Sequence, residues 1–252
     1  MPELGFAHPA TLLHTTRRCS AGPGEIHLWP FGLDGDAALL MHCRAMLSQQ
    51  ETARADRFVF AVDMERYALA HAVTRQVLAH YANVAPSALD FSAGATGKPS
   101  VMGPACAAHL SFNLSHSHGR ALLAVSAQRE LGVDLEKVRP DVSGLEISER
   151  FFSCAERAVI GSAPAEDVAR TFFRHWVAKE AVLKAQGIGL GFELHRFSVL
   201  FNADGTQATV HSQSPERLSP GWRVRMLSAG AGWTAAVCAE GADWEPVPMP
   251  RD

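Results

Sequence analysis

A short run in the middle of the chain, Gly132–Lys137 (GVDLEK), reads as a β-strand with two acidic side chains on one face. Residues two apart on a strand point in the same direction, so Asp134 and Glu136 can present oxygens to one hard cation. Taken alone, this pattern is more typical of an ordinary strand end than of a metal site. The segments that pack against the strand therefore decide between the two interpretations.

A helix-like stretch further along the chain supplies another carboxylate and a cation. Between Phe172 and Lys184, the residues Trp176, Glu180 and Lys184 recur every four positions. Residues with this spacing lie along one face of an α-helix. An acidic strand and a helix face with an acid and a lysine together favour the metal interpretation.

The composition is that of an ordinary globular protein. The 252 residues are 47% hydrophobic, enough for a large core in one domain or in two halves of about 120 residues each. The net charge of -3 argues against broad affinity for nucleic acids or anionic membranes. A local basic cluster can still hold a phosphate.

The cysteines and the hydropathy pattern indicate where such a protein acts. Five scattered cysteines without a metal-like spacing favour a reduced, intracellular setting. The first residues lack a basic region followed by an apolar run, and no stretch of about 18 apolar residues occurs. We therefore expect a soluble, cytoplasmic protein. We also expect it to act as a monomer.

The first part of the chain gives few functional signals. Residues up to about Gly24 show no periodicity, and we expect a loosely docked arm there. Glu25–Trp29 then alternates like a strand, and the run from Leu39 to Leu47 has helical spacing. Ser48, with Glu51 three residues later, is a capping-box pattern that predicts the start of a new helix.

Two arginines, Arg54 and Arg57, lie on that short helix. They could contact a phosphate, and the commoner alternative is a solvated charged face. A longer helix follows, with a buried stripe from Tyr67 to Tyr81 and with Pro86 beyond its end.

The segment from Ala93 to Pro104 is rich in glycine, proline and small residues, which predicts a loop. Gly97, Lys98 and Pro99 lie at its centre. A lysine held in a constrained turn can contact an anion with little loss of entropy. The same residues also fit a turn without any ligand.

Ser115 and His116 lie near the end of an alternating, strand-like run, Leu110–Ser117. A hydroxyl and an imidazole are therefore expected at the rim of a sheet, where they could bind phosphate. In the alternative, His116 and His118 bind a transition metal, but this pair lacks a third ligand nearby.

Several motifs in a fixed order give the chain a specific likeness. The motifs are Phe112–His116 (FNLSH), Gly132–Glu136 (GVDLE), Phe151–Glu156 (FFSCAE) and Trp176–Glu180 (WVAKE) followed by Lys184, with Leu47–Phe58, Gly97–Pro99 and Gly187–Leu194 flanking them. In letters, order and intervening lengths, this series resembles that of the Sfp-type phosphopantetheinyl transferases over roughly residues 47 to 201. The family often has a basic residue near the position of Glu51, which leaves Arg54 and Arg57 for a phosphate contact here.

The resemblance implies an enzyme that transfers the phosphopantetheine arm of coenzyme A to a serine of an acyl or peptidyl carrier protein. Adenosine 3',5'-bisphosphate leaves, so the reaction needs charge neutralisation on the phosphates. The family likeness assigns Mg²⁺ to Asp134, Glu136 and Glu180, and Mg²⁺ prefers oxygen ligands. Lys184, one turn beyond Glu180, would contact the pyrophosphate and stabilise or protonate the leaving group.

The resemblance also assigns residues to coenzyme A. Arginine and lysine suit these contacts because the ribose phosphate carries close to two negative charges. The implied coenzyme A contacts are Arg54, Arg57, Gly97, Lys98, Pro99, Ser115, His116, Asp134 and Lys184.

Glu156 is the candidate catalytic base for the carrier serine, directly or through metal-bound water. The alternative is structural, because Ser153 and Glu156 also form a capping-box pattern. Lys179 lies off the Glu180 face and could contact a phosphate or form an internal ion pair. Trp176 and Phe173 are assigned to the core, as aromatic residues at helical spacing usually are.

For the fold, the resemblance implies an α+β protein of two similar α/β halves in a pseudo-two-fold arrangement. The halves would span residues 1–128 and 129–252, with the active site in the cleft between them. Strand-like runs between residues 195 and 238 fit the second half. The proline-rich end, from Trp244 to Asp252, predicts an extended tail.

The carrier protein would arrive in trans and dock near Val138–Phe152. There Leu145, Ile147, Phe151 and Phe152 offer apolar contacts, or simply pack a helix.

Two rival functions fit many of the same residues. One is a coenzyme A-binding sensor or scaffold, which has no need for three carboxylates and Lys184. The other is a Mg²⁺-dependent nucleotide pyrophosphatase, which would release phosphopantetheine without a carrier protein.

Overall fold

The computed structural model describes residues 1–14, 18–94, 97–188, 193–213, 218 and 221–249. The α-helices in these ranges are α1 (Pro9–Leu13), α2 (Ala37–Met46), α3 (Gln49–Ala55), α4 (Ala61–Ala82), α5 (Gly144–Phe151), α6 (Cys154–Gly161) and α7 (Val168–Gln186). The strands are β1 (Glu25–Gly32), β2 (Asp90–Ala93), β3 (Pro99–Gly103), β4 (Ser111–Ser117), β5 (Arg120–Ser126), β6 (Leu131–Lys137), β7 (Phe197–Phe201), β8 (Gln207–Ser212), β9 (Trp222–Leu227), β10 (Trp233–Glu240) and β11 (Glu245–Pro248). The predicted α+β class is confirmed.

Two main sheets organise these elements. The first has the strand order β11-β1-β5-β4, and the second has the order β6-β10-β9-β8-β7. In each, an opening strand (β1 or β6) leads through short helices to one long helix (α4 or α7), and antiparallel strands follow. This repeated order agrees with two similar halves.

Of the four apolar clusters among the described residues, three involve the two main sheets. One packs α4 against the first sheet and another packs α7 against the second. The third lies between the two sheets, where Ile26 and Leu28 of β1 meet Val133 and Leu135 of β6. Because side chains alternate along a strand, β1 can serve two clusters at once and is buried on both faces.

The edges of the two sheets meet at β4 and β6, and side chains bridge them. The Val133 N–H donates to Asn113 Oδ1 at 2.9 Å, and the Leu135 N–H donates to Ser115 Oγ at 3.3 Å. With Ser117, which is next on the same face of β4, these residues form what we call the side-chain seam (Asn113, Ser115 and Ser117). Strands β4 and β6 belong to different sheets, so these side chains, and not a backbone ladder, link them.

Several expectations from the sequence need correction. The first residues are not a loosely docked arm, because Leu4, Leu12 and Leu13 are buried and the Leu4 N–H donates to the Ser228 carbonyl at 2.8 Å. The predicted loop between Ala93 and Pro104 contains β3, which pairs with β2. Residues 95 and 96 lie outside the described ranges.

The chain end is also more ordered than the predicted tail. Trp244 is 1% exposed, and β11 pairs in parallel with β1, with Glu245 opposite Glu25. Residues 250–252 lie outside the described ranges. None of the helices in those ranges combines the length and the apolar character that crossing a bilayer requires.

Candidate active site

A cleft of about 290 Å³ opens where β4, β6 and α7 meet. Strand β6 places Asp134 and Glu136 in it, as their two-residue spacing predicts, and one face of α7 adds the other acid and the lysine. The lining residues are Leu114, Ser115, His116, Asp134, Glu136, Trp176, Glu180 and Lys184.

A glycine lets the helix approach the strand closely. A Cβ atom at Gly132 would collide with the backbone of Ala181 and Ala185 on α7. Any larger residue at this position would therefore push α7 away from β6. The glycine of the GVDLE motif is thus what allows Glu180 and Lys184 to lie over Asp134.

Asp134 is the enclosed centre of the cleft, at 3% exposure. Its Oδ1 accepts hydrogen bonds from Lys184 Nζ at 2.6 Å and from Ser115 Oγ at 2.8 Å. Lys184 Nζ also lies 3.1 Å from Ser115 Oγ. The three residues thus form one hydrogen-bonded group that joins α7, β6 and β4.

Two of the three carboxylates, Glu136 and Glu180, have raised pKa values. Burial, together with the charge on Asp134 and Glu136, raises the pKa of Glu180 to about 7, although Lys184 opposes this shift. The pKa of Glu136 is also raised, mainly by burial, while a hydrogen bond from Ser117 acts in the other direction. Such mutual repulsion is expected where carboxylates await a shared cation.

The cleft fits a hard divalent cation. Asp134 Oδ2 and Glu180 Oε1 are buried and have no hydrogen-bond partner among the described residues. A buried oxygen without a partner is costly, and a cation would satisfy both oxygens. The carboxylates do not yet converge into a formed metal site, because within the described ranges no three His, Cys, Asp or Glu side chains do so. Among the described residues, the alternative transition-metal site at His116 and His118 therefore has no third protein ligand.

His116 lies at the rim of the cleft. Partial desolvation lowers the pKa of its imidazole, and the positive charge of Lys184, His71 and Arg66 lowers it further. A neutral ring surrounded by cations suits a site that receives an anion. His71 and Arg66 belong to α4, so the first half contributes charge to the cleft as well.

Lys98 does not line the cleft. Its Nζ donates to Glu130 Oε2 at 2.6 Å, to the Ala185 carbonyl at 2.8 Å and to the Leu131 carbonyl at 3.1 Å. It therefore ties the turn between β2 and β3 to the start of β6 and the end of α7. Gly97, beside it, has a φ of 86°, a conformation that glycine adopts without strain.

Arg54 and Arg57 are both exposed at the end of α3. Arg54 is close enough to Tyr67 of α4 to influence the pKa of its hydroxyl. The Tyr67 ring stacks on His71 with the ring centroids 4.0 Å apart. A path of polar and aromatic side chains thus leads from α3 towards the cleft.

The surroundings of Glu156 favour the structural alternative over the catalytic base. It is 1% exposed and is the acid of the capping box with Ser153. Its two oxygens accept from Lys179 Nζ and from the Val199 N–H at 2.8 Å. With its oxygens bound in the core, it has no access to a substrate, and Lys179 is likewise committed to this internal ion pair.

The aromatic residues of α7 divide between core and cleft. Phe173 is buried, as predicted. Trp176 is half-buried, because it packs on Phe152 and Phe172 and also lines the cleft.

The sequence that forms this cleft resembles the sequences of known proteins. The sequence profile of the 4'-phosphopantetheinyl transferase superfamily matches residues 130–238, and that of the 4'-phosphopantetheinyl transferase N-terminal region matches residues 36–128. The 4'-phosphopantetheinyl transferase HetI of Nostoc sp. is 34% identical over 88% of this chain and 90% of its own length. The chain belongs to the 4'-phosphopantetheinyl transferase family. The family predicted from the motifs is thereby confirmed, and with it the enzyme class.

Other similar proteins include the 4'-phosphopantetheinyl transferase Sfp of Bacillus subtilis, which is 30% identical over 79% of this chain and 85% of its own length. Among solved structures, the holo-[acyl-carrier-protein] synthase of Thermotoga maritima aligns with a TM-score of 0.35 and 18% identity. That alignment covers 44% of this chain and 62% of the synthase chain.

Some residues around the transferase cleft escape sequence reasoning. Tyr67 and His71 were assigned no role there, although their spacing on α4 parallels that of Glu180 and Lys184 on α7. The signal that could have found them is a pair of polar side chains, Tyr67 and His71, on one face of the otherwise largely buried helix α4. Asn113 and Ser117 gave no signal, because their partners on β6 lie 19 or 20 residues away.

Proposed function

We propose that this transferase moves the phosphopantetheine arm of coenzyme A onto a serine of an acyl or peptidyl carrier protein, with Mg²⁺ as cofactor. The serine hydroxyl gives up its proton to water, and its oxygen forms a bond to the phosphorus that carries the pantetheine. The bond from that phosphorus to the bridging oxygen breaks, and adenosine 3',5'-bisphosphate leaves. The observation that carries the proposal is the single cleft that gathers Asp134, Glu136, Glu180 and Lys184.

The metal ligands we propose are Asp134, Glu136 and Glu180. Support comes from the two buried carboxylate oxygens that have no partner among the described residues, and from the burial and the repulsion by Asp134 that raise the pKa of Glu180 to about 7. When bound there, Mg²⁺ would neutralise charge on the pyrophosphate. The negative charge of the three carboxylates that line the cleft would also disfavour an anion there until a cation has bound.

Lys184 is the proposed contact for the leaving phosphate. Its ammonium is held by Asp134 Oδ1 and Ser115 Oγ, and its side chain is 30% exposed. A flexible lysine at the mouth of a cleft can reach an incoming phosphate, because only its head group has to move. There it would donate to the oxygen that leaves.

For the rest of coenzyme A we propose contacts on the first half of the chain. His116 and Lys184 both line the cleft, Arg54 is exposed on α3, and Arg57 is exposed just beyond the end of that helix. Ser115 would turn its hydroxyl to a phosphate as Lys184 moves. The Gly97–Pro99 turn would lie next to the nucleotide, and Lys98 would have to release Glu130 to bind an anion.

For the carrier protein we propose docking on α5. Leu145 is 45% exposed and Phe151 is 43% exposed, so both offer apolar surface. Arg150 lies over the Phe151 ring at 5.6 Å and adds a positive charge beside it. Phe152 packs inside the protein at 2% exposure and cannot contribute.

We also propose that a monomer in the cytoplasm is the working form. One chain supplies both walls of the cleft. The buried thiols of Cys43 and Cys238 lie in different apolar clusters, so they do not pair with each other, and this fits a reducing compartment.

The proposal is tested by intact mass spectrometry of an apo carrier protein incubated with the transferase, coenzyme A and Mg²⁺. We expect the carrier to gain the mass of one phosphopantetheine arm, and the gain to vanish with EDTA or with Asp134→Asn. Coenzyme A cleavage without a carrier would instead indicate a pyrophosphatase. Binding of coenzyme A without transfer to any of several carriers would indicate a sensor.

A further inference from the structure

The last member of the side-chain seam, Ser117, contacts one of the proposed metal ligands. Its hydroxyl donates to Glu136 Oε2 at 2.7 Å. Among the described residues, no other hydrogen-bond donor reaches the Glu136 carboxylate. Ser117 lies outside the cleft lining and has no part in the reaction proposed above.

The Ser117 hydroxyl is itself held in place. Ser117 ends β4 opposite Arg120 of β5, and the tight turn at His118 and Gly119 follows at once. His118 Nδ1 lies 2.9 Å from the same hydroxyl oxygen. Because a carboxylate can only accept, the one hydroxyl proton is committed to Glu136.

Ser115 and Ser117 make matching contacts on neighbouring acids. Ser115 donates to Asp134 Oδ1 at 2.8 Å, just as Ser117 donates to Glu136 Oε2. Both serines lie on one face of β4, and both acids lie on one face of β6. The first half of the chain therefore orients two carboxylates that the second half carries.

We infer that Ser117 is a positioning residue that fixes the Glu136 carboxylate for a divalent cation. This inference rests on the proposed function of the cleft. A glutamate side chain loses rotamer freedom when it binds a metal, and a hydrogen bond made beforehand reduces that loss. One oxygen of Glu136 is held by Ser117, so the other is left for the ligand.

The test is the Mg²⁺ dependence of transfer for Ser117→Ala. We expect the apparent Mg²⁺ constant to rise about tenfold, as is typical when a partner of a metal ligand is removed. The kcat at saturating Mg²⁺ and the KM for coenzyme A should stay within about twofold of the wild-type values. Ser117→Thr keeps a hydroxyl and should restore the Mg²⁺ constant.

A matched control is available on the same strand. Ser111 lies on the same face of β4, and its hydroxyl donates to Glu130 at 3.2 Å, outside the cleft. Ser111→Ala removes an equivalent hydrogen bond to a carboxylate, so it should leave the Mg²⁺ constant unchanged. Thermal melts of both variants separate a metal effect from a loss of folding.

A double-mutant cycle shows whether Ser117 acts through Glu136. Binding of Mn²⁺, followed by electron paramagnetic resonance without coenzyme A, should weaken with Ser117→Ala but not weaken further when Glu136→Gln is already present. Equal Mn²⁺ binding by Ser117→Ala and the wild type would overturn the inference. So would a Ser117→Ala substitution that weakens Mn²⁺ binding equally with and without Glu136→Gln. A wild type that transfers nothing would instead refute the proposed function.

Discussion

Lys179 Nζ donates to both oxygens of the Glu156 carboxylate, at 2.8 and 2.7 Å, and each side chain is 1% exposed. Burial lowers the pKa of Lys179 to about 8, although the charge of Glu156 opposes this shift. The ammonium also donates to the Phe197 carbonyl at 2.6 Å. This pair therefore joins α6, α7 and β7 in the core behind the cleft.

Glu156→Gln should destabilise the protein without abolishing transfer. Removing one partner leaves Lys179 buried without a counter-charge, which costs about 3–5 kcal/mol. Urea denaturation should show this loss, while the transfer rate per folded molecule stays near the wild-type rate. Glu166→Gln, at an exposed position between α6 and α7, is the control. A stable but inactive Glu156→Gln would mean that Glu156 is catalytic after all.

Glu180→Gln should give the reverse result. Glu180 has its pKa raised to about 7 by burial and by Asp134, so its charge opposes folding rather than supporting it. The variant should melt at or above the wild-type temperature while transfer falls by about 100-fold or more. Calorimetry and the carrier mass assay measure the two effects. Normal transfer would remove Glu180 from the proposed metal ligands.

Glu51 should control stability in acid. Burial alone would raise its pKa, but hydrogen bonds from His71, the Ser48 N–H and Arg75 lower it to about 2, against an ordinary value of 4.5. A lowered folded-state pKa contributes stability above pH 4.5 that is lost as the pH falls towards 2. The shift corresponds to up to about 3 kcal/mol.

Glu51→Gln tests this dependence. Unfolding by urea between pH 7 and pH 3 should show the wild type losing stability that the variant already lacks at pH 7. The two curves should therefore converge as the pH falls. Glu3→Gln, at an exposed position, should follow the wild type at every pH. Parallel curves for Glu51→Gln and the wild type would contradict the assignment.

Leu145→Asp should weaken carrier docking. The substitution places a negative charge on exposed apolar surface beside Arg150, so the KM for the carrier should rise about tenfold or more. The KM for coenzyme A should not change, because α5 does not line the cleft. Val59→Asp, at an 88% exposed site on the other half, is the matched control. An unchanged carrier KM for Leu145→Asp would exclude this face.

Local patterns in the sequence predicted local structure well. The capping boxes at Ser48 and Ser153 are both present, each with its glutamate in place. The spacing of Asp134 and Glu136, and of Glu180 and Lys184, correctly predicted which side chains share a face. These signals depend on residues a few positions apart, for which strand and helix geometry is fixed.

Contacts between distant segments could not be predicted in this way. Nothing near Lys98 in the sequence indicates that Glu130 and the end of α7 hold its ammonium. The Ser153–Glu156 pattern fitted a cap or a base equally well until Lys179 was seen to occupy the carboxylate. In each case the deciding partner comes from a segment that only the fold brings near.

The pairing of β11 with β1 has a consequence for synthesis. The first sheet obtains its edge strand from residues 245–248, more than 200 residues after β1. On the ribosome, β1, β4 and β5 emerge long before the strand that completes their sheet. We expect the nascent first half to remain incompletely folded until residues 245–248 have emerged and can pair with β1.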